Sequence, residues 1–241
     1  MAQLSGPTQS AGQPLYTSSA TAFHALGERM LTADGRKFVY VKAGDTALVA
    51  GNWIQSAAEL SNHQNLTPVA ASIGATYIDV ALGATAATAN QYAGGMAVVT
   101  VTPGLGQGLV ISGHAAAALS TTLRVYLADP LRVALTTSSR IDLVPNPYSA
   151  VIQSPVTTLT GVPVGVAPYV IAAGEYGWLQ TGGLGAALIA GTPAVGSALV
   201  LPGSAAGAAV VDPANAATPI VGIQMSTGGN GETNGVLIML P

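Results

Sequence analysis

The chain has 241 residues, with only seven basic and ten acidic side chains, a net charge of −3 and no cysteine. A charged fraction of 7%, against about 25% in ordinary domains, leaves large charge-free patches on about 10,000 Å² of folded surface, so the composition points to a subunit of an assembly. An apolar fraction of 49% excludes general disorder, and the lack of cysteine excludes disulfides and thiolate metal sites.

Residues 1–20 are rich in Gln, Ser, Thr, Gly and Pro and read as an extended arm. In 21–31, Phe23, Leu26, Met30 and Leu31 share one face at helical spacing, despite Gly27, which predicts a short helix. Ala33-Asp34-Gly35 is a turn leading into a strand at 38–41. A second strand is expected at 46–50, continuing through 53–55.

From 69 to 143 the pattern is strongly β. Residues 77–82 alternate across two faces, and 96–102 with 109–112 read as a hairpin around a glycine turn. Residues 123–127 and 131–135 flank Ala128-Asp129-Pro130, a compact proline turn. Asn146-Pro147-Tyr148 marks a break, after which 162–166 read as an edge or irregular strand because of Pro163 and Gly165. Strands are expected at 169–172, 178–181, 184–189, 198–201 and 208–211, and at 236–240 as a closing strand. The expected class is mainly β, with two β-sandwich or barrel-like units after an extended arm and short helix. The expected division is 1–32 arm with helix, 33–148 first β domain, 149–241 second.

Little in the sequence carries chemistry. The most apolar stretch, 186–211, is interrupted repeatedly by Gly and Pro, so no spanning helix is expected. The N-terminal sequence has neither the basic nor the apolar region of a signal peptide. His24, His63 and His114 lack metal-ligand spacing and read as polar surface or loop side chains. Gly104, Gly106 and Gly108 run into a further strand instead of a helix, so the string reads as a loop rather than a dinucleotide fingerprint. No catalytic, cofactor or metal residues are assigned. All seven bases precede residue 141, yet none forms a run longer than Arg36-Lys37, which argues against nucleic-acid binding. Trp53, Trp178 and Tyr176 suit either sugar stacking or an interface core.

Residues 34–44 (DGRKFVYVKAG) and 47–51 (ALVAG) resemble the opening of tailed-bacteriophage head decoration, or capsid cement, proteins. The likeness recurs at 88–92, 146–148 and 176–183. It implies a non-enzymatic β-rich protein, made in the host cytoplasm and bound to the outer capsid surface. There, as a homotrimer, it would bridge major capsid protein subunits. The family has no catalytic residues to carry over. On this reading the arm anchors through Leu4, Leu15 and Tyr16, and Arg36, Lys37 and Lys42 lie on the half facing the shell. The alternative is a receptor-binding, adhesin or fibre module recognising cell-surface glycans.

Overall fold

Period-2 alternation of Val, Ile, Leu and Tyr builds strands through almost the whole chain, and the protein is mainly β. The computed structural model describes residues 13–213 and 218–241. The strands are β1 (Arg29–Leu31), β2 (Lys37–Lys42), β3 (Trp53–Gln55), β4 (Tyr77–Ala81), β5 (Met96–Val101), β6 (Gly108–His114), β7 (Thr122–Leu127) and β8 (Arg140–Val144). After the break come β9 (Ile152–Gln153), β10 (Pro163–Val166), β11 (Tyr176–Ile189), β12 (Ala198–Val200), β13 (Val210–Val211), β14 (Ile220–Gln224) and β15 (Glu232–Met239). A single 3-10 turn at Ser61–His63 is the only helical element among the described residues.

Contacts divide the chain into two units: one runs up to Ala57 and resumes at Pro147, and the other is Ala58–Asn146. The expected boundary at 33 is therefore replaced by one at 57. Residues 37–42 belong with the C-terminal half because β2 pairs along β11, from Tyr176↔Lys42 to Gly182↔Lys37. The expected break at Asn146-Pro147 does coincide with a unit boundary.

The inserted unit is a barrel. Its sheet runs β4-β7-β6-β5-β8, all antiparallel. Residues 66–69 close it. Leu66 exchanges both backbone hydrogen bonds with Ile141 of β8, while Val69 N–H donates to Asp79 and Ala81 N–H to Thr67 on the β4 side. Each edge strand is thus covered at one point, which reduces the aggregation hazard of an apolar sheet. The interior holds one buried cluster that includes Ile78, Val80, Val99, Ile111, Leu123, Val125, Ile141 and Leu143.

The other unit carries a ten-stranded sheet in the order β13-β12-β14-β15-β11-β10-β3-β9, with β2 also on β11 and β1 outside β2. Strand β11 is shared along its length: its first half meets β2, and Gly182 to Ile189 meet β15. The register shifts between Gln180 and Gly182, and Gly183 there has φ +86°, a conformation glycine adopts without strain. Three apolar clusters fill this unit, one of them the aromatic group Phe38, Tyr40 and Trp178 with Met30.

Several expected elements differ. The helix at 21–31 does not form: Gly27 has φ +88°, and a Cβ there would lie 2.7 Å from the Tyr148 ring. Arg29–Leu31 is drawn instead into a strand on β2. Residues 131–135 form no strand, because the Gln107 carboxamide takes their backbone groups, accepting from Arg132 N–H (3.1 Å) and Val133 N–H (2.9 Å) and donating to Val133 C=O (3.1 Å). Residues 46–50 and 169–172 are not strands either; they meet through the single bridge Leu48↔Ile171. The segments at 178–181 and 184–189 are one continuous strand. Strand β10 lies between β11 and β3, with Pro163 accommodated at a register shift, and β15 is interior, between β11 and β14.

Candidate assembly surface

The described part of the arm is laid across the sheet of its own unit. Ser19 exchanges both backbone bonds with Tyr176, at 3.0 and 2.8 Å. Gln13 is buried; its amide donates to Thr17 C=O (2.6 Å) and Tyr176 C=O (2.9 Å) and its carbonyl accepts from the Tyr40 hydroxyl. That hydroxyl in turn accepts from Phe23 N–H at 3.2 Å. Tyr169 donates to Thr17 C=O (2.8 Å) and accepts from Trp178 N–H (3.0 Å). Burial raises both phenols, Tyr40 above its usual value and Tyr169 to about 12, so both stay protonated donors in ordinary buffers.

Of the expected anchors, Leu15 packs half-buried against the aromatic cluster. Tyr16 is exposed, accepts a 2.9 Å bond from Arg36 and stands edge-on to Tyr169. Leu4 lies outside the described residues.

The three expected basic residues do not form one patch. Alternation along β2 puts Lys37 and Lys42 on opposite faces. Arg36, in the preceding turn, binds Asp34 at 2.7 Å. The Asp34 carboxyl is held at about 2, first by the Thr32 hydroxyl and then by Arg36. Arg36 and Tyr16 meet at a cleft of about 310 Å³ whose walls include Gly51, Gln180 and Thr233. Lys42 sits 5.5 Å over the Tyr176 ring. Lys37 lines a separate apolar groove of about 460 Å³ and has no ion-pair partner among the described residues.

Two rows of exposed apolar side chains escaped the sequence reading. On the barrel, Tyr77 stands opposite Tyr126, and Met96 stands opposite both Val110 and Val144. All five are exposed, Tyr126 at 50%. Strands β4 to β8 therefore carry apolar groups on the outer as well as the inner face. Arg124 braces this surface, gripping Asp79 through two 2.8 Å bonds while its guanidinium lies 4.1 Å from the Tyr77 centroid. In the other unit, Leu184 (60% exposed) and Leu237 stand beside the half-buried Ile223 across β11, β15 and β14. The legible signal was an apolar residue at the nominally outward position of each strand, as in Thr122–Leu127, where Tyr126 interrupts the polar alternation.

The remaining candidates are structural. His63 and His114 are buried, not surface groups: His63 bonds the Tyr92 hydroxyl and Thr85 C=O (2.9 Å), and His114 accepts from Tyr92 N–H (3.0 Å) and bonds Ala115 C=O (2.9 Å). His24 packs on Tyr40 and Trp178. Among the described residues no group of three or more His, Asp or Glu is placed to hold a metal ion, and no helix is long and apolar enough to cross a membrane. The string at Gly104 and Gly106 forms the loop between β5 and β6, as its sequence predicts. Comparison with known protein families, with curated proteins and with solved structures finds no match in any of the three.

Proposed function

We propose that the chain is a structural virion protein that binds the outside of an icosahedral phage capsid and stabilises the shell by bridging major capsid protein subunits. The observation that carries the assembly part of this reading is the exposed apolar side chains on the outer face of β4 to β8, Tyr77 beside Tyr126 and Met96 between Val110 and Val144, in a chain with few charges. Exposed apolar groups clustered on one face mark interaction sites. The capsid as partner rests on the likeness of residues 34–51, 88–92, 146–148 and 176–183 to decoration proteins. In a homotrimer, three such surfaces engage the shell together, and linkage raises the effective concentration of each remaining contact.

The glycan-binding alternative draws no support from the tryptophans. Trp53 and Trp178 are both fully enclosed and offer no face to a sugar. The test combines abundance with surface substitution. Quantified gels of purified particles are expected to show the chain at capsid-like abundance. The exposed double variant Tyr126→Ser/Met96→Ser is expected to lose about 10-fold or more in capsid occupancy, since truncating a good apolar contact costs about 1–2 kcal/mol. Absence from particles, or undiminished occupancy of the variant, refutes the reading.

A further inference from the structure

Strand β1 is an edge. Among the described residues it pairs only with β2, in the register Arg29↔Val39, Met30↔Phe38, Leu31↔Lys37. Tyr40 N–H donates to Glu28 C=O and Thr32 N–H to Arg36 C=O. Residues 28, 30 and 32 thus face β2, and antiparallel alternation turns the N–H and C=O groups of Arg29 and Leu31 outward. Among the described residues nothing pairs with them.

The apolar groove lies along this edge, lined by Met30, Leu31, Phe38, Thr181 and Leu240, with Arg29 and Lys37 at its sides. Three features mark it as built for an occupant. Its volume of about 460 Å³ takes one or two large apolar side chains. Thr181 is 2% exposed and its hydroxyl has no hydrogen-bond partner among the described residues, which is costly unless something entering the groove supplies one. Finally, among the described residues no Asp or Glu side chain lines the groove. Arg36 is engaged by Asp34, but Lys37 is unpaired among the described residues and Arg29 reaches only the Tyr148 hydroxyl, at 3.4 Å.

We propose that β1 and this groove bind an extended partner strand of alternating acidic and apolar residues by strand addition. The incoming backbone bonds Arg29 and Leu31. Its successive side chains point to opposite faces. Those on the Met30 and Phe38 side enter the groove, and those on the other side meet Arg29 and Lys37, which by register share their face with Leu31 at the rim of the groove. The proposal goes beyond the capsid reading and holds whatever protein supplies the strand.

The test uses the full chain and fluorescence anisotropy with short fluorescein-labelled peptides. A peptide of alternating Glu and Val is expected to bind, and one of alternating Lys and Val to bind at least about 10-fold more weakly. Lys37→Glu, a change at an exposed position, leaves Arg29 opposed by one acid and is expected to abolish that preference. A Glu–Val peptide with alternate amides N-methylated cannot form the ladder and is expected to lose at least about 10-fold in affinity on the unaltered protein. The proposal is overturned if the Glu–Val peptide shows no binding at about 1 mM, if both peptides bind alike, if Lys37→Glu changes nothing, or if N-methylation is tolerated. Binding of dodecanoate without the peptide would equally overturn it, assigning the groove to an aliphatic anion.

Discussion

Tyr92 links both buried histidines of the barrel, and Tyr92→Phe removes one of those links. Its backbone N–H donates to His114 Nε2, so the His114 proton sits on Nδ1, facing Ala115 C=O. Its hydroxyl bonds His63 Nδ1, while His63 Nε2 faces Thr85 C=O. A carbonyl only accepts, so His63 carries its proton on Nε2 and takes the Tyr92 hydroxyl as donor. Burial raises the Tyr92 phenol far above its usual value, so that donor persists at any working pH. The substitution leaves His63 Nδ1 unpaired on a fully buried ring, at a cost of about 1–3 kcal/mol. For a unit the size of residues 58–146, each kcal/mol lowers Tm by about 4–8 °C. A midpoint loss of about 2 kcal/mol thus gives about 8–16 °C. Thermal unfolding followed by circular dichroism, with hydrogen exchange to assign the loss to residues 58–146, measures it. A shift below about 2 °C, or ¹⁵N spectra placing the His63 proton on Nδ1, refutes the reasoning.

The Asp79–Arg124 pair predicts an acid-sensitive increment in the same unit. Arg124 holds the Asp79 carboxyl below its usual value, so the stabilisation is fully present above the unfolded value of about 3.9 and is lost as pH falls through the lowered native one. Because Arg124 is half exposed, the increment is about 0.5–1 kcal/mol; Asp79→Asn is expected to remove that much at pH 7 and flatten the acid limb of the Tm–pH curve. Gln13→Ala is expected to destabilise the other unit by about 1–2 kcal/mol, read as a fall in its Tm, because Gln13 joins the arm to Tyr40 and Tyr176. Truncation of residues 1–12 leaves that bond in place, whereas truncation of 1–20 removes it, so only the shorter deletion tests the arm's part in capsid occupancy without unfolding as a cause.

The mainly β class, the glycine loop after β5 and the break at Asn146-Pro147 were legible in the sequence because each is set by a few neighbouring residues. Even the separation of Lys37 from Lys42 follows from strand period alone. Pairing does not. Nothing local to Phe38 or Trp178 says that β2 lies along β11, since alternation marks which face of a strand is apolar and is silent about which strand covers it. The failed helix at 21–31 has the same origin: the edge of β2 offered Arg29–Leu31 more hydrogen bonds and burial than an isolated turn with Gly27 inside it. The candidate surfaces depended most on tertiary structure. Tyr126 is turned outward by the same alternation that sends Val125 and Leu127 into the barrel core, whereas Leu184, flanked by Gly183 and Gly185, reads as a core residue in the sequence and its exposure was decided by the tertiary structure alone.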